Sequence, residues 1–358
     1  MGRKDQPDDA LTGVKVLDFT WVATGPLITQ YLADHGAQVV KVESFIRPDT
    51  GRTSRPFRGG SPGLDRGGMF LCQNSSKLSL ALDLGHPQGQ ALARRLAAWA
   101  DVVAEAFAPG VMKKWGLTYR ELKKSNPSLV YLSTSLQGQT GPHAHQPGYG
   151  YHQTALSGFT YFTGRPEGEP QAPAGPYTDY VSPWLGLVAV LAALDGRRRT
   201  GRGCYIDLSQ FEASLSFLRE PLLDYLANGR EQLRRGNASR CGAPHGIYRC
   251  QGDVPSVDSG QALSPSKDND RWCAIAVFSQ GEWRSFCRVL GNPAWSQEPR
   301  FATRKGRMES AQELDRLVEG WTTQRSPEEV MASLQGAGVA AGVVQDCEDL
   351  LEKDPQLR

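Results

Sequence analysis

The sequence has no apolar run long enough to cross a bilayer, no CxxC pair, and no Cys/His cluster at metal-ligand spacing. It also has no charged-then-apolar leader, because residues 1–10 are polar and include three aspartates. These absences predict a cytoplasmic protein without a structural metal. The seven cysteines (Cys72, Cys204, Cys241, Cys250, Cys273, Cys287, Cys347) are odd in number and read as free thiols. Neither sign of charge dominates. Lys and Arg total 40 against 38 Asp and Glu, a net charge of +2, so no global field draws nucleic acid or an anionic membrane. An anionic ligand must be held by local groups. No GxGxxG follows Phe19, which removes plain dinucleotide binding at the first strand-helix turn.

What remains is an ordinary globular composition, 39% hydrophobic and 22% charged. At 358 residues the chain is long for one core, and two lobes are expected. Val14–Phe19 reads as a strand, Pro26–His35 as a helix and Gly36–Glu43 as a second strand, a unit that implies parallel pairing and a right-handed crossover. Arg47–Gly68 is a long loop rich in Arg, Gly, Pro and Ser. Leu78–Asp83, Val102–Glu105 and Leu129–Ser133 continue as strands, alternating with helices at Pro87–Trp99 and Tyr119–Ser125. This alternation predicts an α/β fold with an open, Rossmann-like parallel sheet, ligands lying at the carboxyl ends of its strands.

Beyond Gln137–Pro147 the pattern predicts a helix over Tyr151–Thr163, then a proline-rich loop and a buried helix over Val181–Leu194. Trp272–Val277 reads as a strand and Glu282–Leu290 as a helix of a smaller α+β lobe, after a flexible insertion at 251–270. The expected organisation is a disordered start (1–10), a large lobe (11–215), a connector (216–240), a small lobe (241–335), and at 336–358 the beginning of a return to the large lobe whose remainder is missing.

One carboxylate stands out. Asp179, in Gly175-Pro176-Tyr177-Thr178-Asp179-Tyr180, lies between aromatic residues at the start of a helix. Helix-terminal amides favour its anion and apolar neighbours disfavour it, which suits an anchored but reactive group. A plain N-cap is the alternative reading of the same residue.

Several stretches together resemble the class III CoA transferases, the formyl-CoA and carnitine-CoA transferase family. They are Leu11–Phe19 with Gly25-Pro26, Gly36–Glu43, Asn74–Lys77 with Leu82–Leu84, Ala100–Val103 with Pro109-Gly110, Gly138–Pro142, Ala155–Gly158, Thr200–Gly203 and Pro299–Phe301. The likeness spans essentially the whole chain. It implies that Asp179 is the nucleophile of an acyl-CoA:carboxylate CoA transferase, passing through an aspartyl anhydride and an aspartyl-CoA thioester. Acyl-CoA and a carboxylic acid would be the substrates, with no tightly bound cofactor. By position, Val22, Ala23, Lys77, Phe107 and Lys114 would contact CoA, and loop amides at Gly138 and Gly141 would stabilise the oxyanion. The resemblance also implies an interlocked dimer, either a homodimer or a heterodimer with a homologous subunit.

The chain departs from family members at several places. The first loop reads Val22-Ala23-Thr24-Gly25-Pro26 without a glutamine, Ser44 replaces an arginine, Ala106 an asparagine, and Leu78 follows Lys77 in place of an arginine. These losses speak against formyl and oxalate specificity. The aromatic residues Trp21, Tyr149, Tyr177 and Tyr180 suggest a bulky acyl group. Two other functions compete. An acyl-CoA racemase of the same fold would need a histidine base where Tyr149-Gly150 stands. A non-catalytic partner subunit would account for the missing CoA contacts.

Overall fold

The computed structural model describes residues 9–252 and 270–357, so the readings of residues 1–10 and 251–270 fall almost wholly outside the described residues. Six strands form a parallel sheet: β1 (Lys15–Phe19), β2 (Gln38–Glu43), β3 (Leu78–Ala81), β4 (Val102–Glu105), β5 (Val130–Ser135) and β6 (Cys204–Ser209). Their spatial order is β3-β2-β1-β4-β5-β6. The chain therefore reverses its direction of travel across the sheet between β1 and β4, which opens a crevice at their carboxyl ends.

The helices of this unit are α1 (Thr24–Asp34), α2 (Gly68–Gln73), α3 (Pro87–Trp99), α4 (Val111–Lys114), α5 (Tyr119–Leu122), α6 (Gly150–Leu156), α7 (Phe159–Phe162), α8 (Thr178–Thr200), α9 (Gln210–Leu215) and α10 (Arg219–Asn228). The central strands read as unbroken apolar runs because both faces are covered. Val16, Val102, Ala104, Val130 and Leu132 pack with Ile28 and Leu32 of α1 and Val190 and Leu194 of α8. Their alternating neighbours Leu17, Val103 and Tyr131 pack on the other face with Ala93 and Ala97 of α3. Each such aliphatic side chain stabilises the fold by about 1.5–3 kcal/mol. Gly186 lets α8 lie close, since a Cβ there would sit 2.5 Å from Ile28 Cδ1 and 2.8 Å from Leu208 Cδ2.

A second unit holds residues 165–167 and 235–357, the first holding 9–164 and 168–234. The second unit contains an antiparallel sheet of β7 (His245–Arg249), β8 (Trp272–Ala276) and β9 (Ala340–Val343). Packed with it are α11 (Gln280–Val289), α12 (Arg304–Glu309), α13 (Ala311–Thr322) and α14 (Pro327–Gly336). Here Trp283, Phe286, Leu314, Val318, Val330 and Leu334 form the core with Tyr248, Cys273 and Ile275.

Three segments differ from the sequence reading. The helix expected over 151–163 is two helices, because Gly158 takes a left-handed φ of +94° and ends α6. The expected connector at 216–240 contains α10, whose apolar residues Leu222, Leu223, Tyr225 and Leu226 are exposed and so gave no core-facing pattern. Residues 340–343, expected to lead back to the large lobe, pair with β8 as an edge strand.

Candidate active site

Asp179 is the second residue of α8, inside the first turn, while the capping position is held by Tyr177, which makes no side-chain cap bond. Asp179 is therefore not the N-cap of this helix. Among the described residues its carboxylate accepts no hydrogen bond, and burial pushes it up to about 6. The side chain rests against Gly150, where a Cβ would lie 2.4 Å from Asp179 Oδ2 and 2.5 Å from Pro176 Cβ. Glycine at the start of α6 is what makes room for the carboxylate. The junction beneath is dry and polar. Thr154 Oγ1 and Thr178 Oγ1 both donate to Gly150 O, at 2.8 and 3.3 Å, and both threonines are wholly buried.

The backbone of Asp179 is held from another direction. Pro183 has no N–H to return to the carbonyl four residues earlier, so Asp179 O lacks its helical partner. Thr24 Oγ1 donates to it instead at 3.5 Å, and Thr24 itself receives Gln210 Nε2 at 2.8 Å. Thr24 opens α1 directly after Val22 and Ala23, so the first loop and Asp179 are brought together.

Four buried charges lie under that loop. Asp18 pairs with Lys77 and Asp49 with Lys41, each at 3.1 Å, and all four side chains are 2% exposed or less. Asp18 Oδ1 accepts the Thr20 N–H at 2.8 Å and Lys41 Nζ donates to Thr20 O at 2.6 Å. Asp49 accepts the Val22 N–H at 3.1 Å. Val22 is β-branched yet has φ +68°, a strained conformation that only a well-anchored loop sustains. Burial pushes Lys77 down to about 8 against the pull of Asp18. Burial would raise Asp18, but Lys77 and Lys41 hold it below the usual carboxylate range.

Beyond the carboxyl ends of β1 to β4 lies a cavity of about 230 Å³, lined by Phe19, Trp21, Val42, Arg47, Leu84, Phe107 and Trp115 among others. Phe107 stands edge-on between Trp21 and Trp115, with ring centroids 5.6 and 5.3 Å away. Its backbone is clamped on both sides: its N–H donates to Glu105 Oε2 at 2.8 Å and its carbonyl accepts Gln139 Nε2 at 3.0 Å. Glu105 also accepts the Ser133 hydroxyl, and burial pushes it up to about 7. The cavity is thus aromatic, with the cation Arg47 among its lining residues.

The residues singled out from the sequence divide among these features. Val22 and Ala23 lie in the loop that reaches Asp179, and Phe107 walls the cavity. Lys114 is exposed, next to the cavity residue Trp115. Gly138 and Gly141 have φ of +85° and +93°, and their N–H groups meet no acceptor among the described residues. Their loop is tied to α6 by Gln137 Nε2, which donates to Gln153 Oε1 at 3.2 Å. Lys77 points inward: its ammonium meets Asp18 Oδ2, Pro26 O, Thr29 Oγ1 and Asn74 Oδ1 at 2.7–3.1 Å, leaving no hydrogen for an outside phosphate. Trp21 belongs to the aromatic slot, Tyr177 packs on Phe159 at 5.0 Å, and Tyr149 and Tyr180 are exposed. The aromatic residues do not gather around one acyl pocket.

Sequence reasoning missed Gly150 as a cradle, Arg47 and Asp49. Arg47 could have been found as the first arginine after β2, three residues beyond the position where one was expected. Among the described residues no group of three His, Cys, Asp or Glu could hold a metal ion, and no helix is long and apolar enough to cross a membrane.

Comparison with known proteins identifies the family. Residues 11–358 match the model of CoA-transferase family III. The succinate–glutarate CoA-transferase of Agrobacterium fabrum is 32% identical over 353 residues, covering 97% of this chain and 83% of the relative. The acetyl-CoA:oxalate CoA-transferase of Acetobacter aceti is 32% identical over 342 residues, covering 95% and 82%. A solved CAIB/BAIF family protein from Brucella suis superposes with a TM-score of 0.86 at 32% identity, over 98% of this chain and 88% of the other. The chain belongs to the class III CoA-transferase family, and is a CoA transferase acting on CoA thioesters.

Proposed function

We propose that this enzyme moves CoA from a donor thioester to an acceptor carboxylic acid through covalent intermediates on Asp179. The observation that carries the reading is the Asp179 carboxylate itself, half-buried, without a hydrogen-bond partner among the described residues and seated on Gly150 at a helix start. An anion so poorly solvated is a better nucleophile than one held by donors.

In the proposed sequence, a carboxylate oxygen of Asp179 attacks the donor thioester carbonyl and expels CoA thiolate, leaving a mixed anhydride. The thiolate then attacks the aspartyl carbonyl of the anhydride, releasing the donor acid and forming an aspartyl-CoA thioester. The acceptor carboxylate attacks the aspartyl carbonyl of that thioester and expels CoA thiolate, leaving a second anhydride, and the thiolate attacks the acceptor's acyl carbon and expels the Asp179 carboxylate. Every intermediate is an activated acyl species, so neither ATP nor a redox or metal cofactor is required. The N–H groups of Ala23, Gly138 and Gly141, which meet no acceptor among the described residues, are the proposed donors to the tetrahedral oxyanions.

The aromatic slot of Trp21, Phe107 and Trp115 is the proposed seat of adenine, with Arg47 and Lys114 as phosphate partners. Lys77 supports the first loop from within rather than touching CoA. Dicarboxylic acids such as those named for the relatives are the first acceptors to test.

The deciding experiment compares wild type with Asp179→Asn. Wild type incubated with succinyl-CoA and quenched with hydroxylamine should carry a hydroxamate on Asp179 by mass spectrometry. Asp179→Asn should fold, bind CoA and lose turnover by at least about a thousandfold. Near-normal exchange by the Asn variant would sink the covalent mechanism.

A further inference from the structure

The loop after β1 and the loop after β2 meet at one buried carboxylate. Asp49 is wholly buried, accepts the Val22 N–H at 3.1 Å and its own loop's Gly51 N–H at 2.9 Å, and forms an ion pair with Lys41 at 3.1 Å. On one side of this knot, two and three residues upstream, Arg47 and Ile46 line the aromatic cavity. On the other side, Val22 is held at φ +68° and leads through Ala23 to Thr24, whose hydroxyl reaches the carbonyl that Pro183 leaves free on Asp179. The knot is rigid because both of its charges are out of water and each has further partners. Lys41 Nζ also binds Thr20 O, so the loop from Thr20 to Val22 is gripped at both ends.

Resting on the reading of the site given above, we propose that Asp49 is a positioning residue that converts binding of the nucleotide end of CoA into alignment of the first loop beside Asp179. Binding energy from the part of a substrate that does not react accelerates chemistry only when something stiff carries it to the reacting centre. Here the stiff element is the Asp49–Lys41 pair. Val22 supplies the other half of the device: a left-handed valine relaxes to an extended conformation once released, so the loop has two arrangements, and the carboxylate selects one. Glu105 and Gln139 fix the opposite wall of the cavity through Phe107, so a nucleotide entering the slot presses against the Arg47 side, where Asp49 and the Glu43–Arg52 pair anchor the loop.

The test uses two donors, succinyl-CoA and succinyl-pantetheine, which share the thioester and differ by the nucleotide. With wild type, removing the nucleotide should lower kcat by tenfold or more as well as raising KM. Asp49→Ala strands the buried Lys41 ammonium, so the main variant is the pair Lys41→Met with Asp49→Ala, which removes both charges. In that pair kcat for succinyl-CoA should fall to within about threefold of the wild-type value for the pantetheine donor, while the calorimetric Kd for CoA changes less than about threefold. Asp49→Asn keeps an acceptor for Val22 and Gly51 and should retain most of kcat. Adding Val22→Gly to the pair should recover part of the loss, because glycine adopts φ +68° without a latch.

A pair variant that keeps the wild-type ratio between the two donors would overturn the proposal. So would an Asp49→Asn protein that loses as much kcat as the pair variant with an unchanged melting temperature. A wild type that exchanges CoA with neither donor and forms no hydroxamate would overturn the reading of Asp179, and this proposal with it.

Discussion

Asp179 is held where its charge is costly, and its pH behaviour follows. Its folded-state value of about 6 lies above the ordinary 3.8, so the fold favours the neutral acid. Stability therefore falls as pH rises through the interval between those two values, while the anion of the folded enzyme appears as pH passes about 6. The acid limb of kcat/KM is predicted to have an apparent pKa near 6. Asp179→Asn should match wild-type stability near pH 4 and exceed it by up to about 2 kcal/mol above pH 7, measured by urea denaturation. Gly150→Ala is the complementary change at this scale. Its Cβ would meet Asp179 Oδ2 at 2.4 Å, so the carboxylate must move. The expected result is a fall in kcat of about tenfold or more with CoA affinity retained, and a stability loss of about 1–3 kcal/mol. Asp179 could be singled out from its neighbours in the chain, because aromatic flanks and a helix start are local signals. Gly150 could not, because nothing near it in sequence says which side chain will lie against its Cα.

The long helix α8 shows how one element carries two duties. Its Val190 and Leu194 bury against the sheet with α1, and its apolar length made it recognisable as a buried helix. The proline five residues after its start is a defect with a use, since it removes the N–H that would otherwise occupy Asp179 O. Pro183→Ala should add that hydrogen bond and stabilise the protein by about 1 kcal/mol. It should also compete with Thr24 for the carbonyl and lower kcat several-fold, giving a more stable and slower enzyme in thermal melts and steady-state assays. Other elements were less legible. The helix expected across 151–163 breaks where Gly158 turns left-handed, and a glycine in a helical pattern does not announce its φ. The helix α10 was read as connector because its apolar residues face outward.

At the scale of the molecule, α8 and α10 present more apolar surface than a monomer usually keeps. Tyr180, Trp184, Val188 and Leu191 recur at helical spacing and are 38–62% exposed, and α10 adds Leu222, Leu223, Tyr225 and Leu226. We propose that this surface meets a second copy of the chain or a homologous subunit. Sedimentation at micromolar concentration should show a dimer, and Val188→Glu combined with Leu226→Glu should shift it toward monomer with loss of turnover. A wild-type monomer that is fully active would refute the assignment.

The sequence by itself determined the α/β class and the parallel strands, and it made Asp179 the candidate carboxylate, because these depend on local periodicity and on motifs contiguous in the chain. It placed β1, β2, β4 and β5 within one or two residues of their observed bounds, since strands buried on both faces are unbroken apolar runs. Only the tertiary structure decided which charges are taken up by the fold and which stay open beside a cavity. Lys77 and Arg47 are both single basic residues beside a strand of the same sheet, yet one ends among four protein acceptors and the other at the mouth of a cavity. The same holds for Asp49, which meets Lys41 of the preceding strand and Val22, a residue of the loop after β1 that the pairing of β1 with β2 brings beside it. Whether a buried charge is paired is a property of packing, and packing is set by contacts the linear chain does not contain.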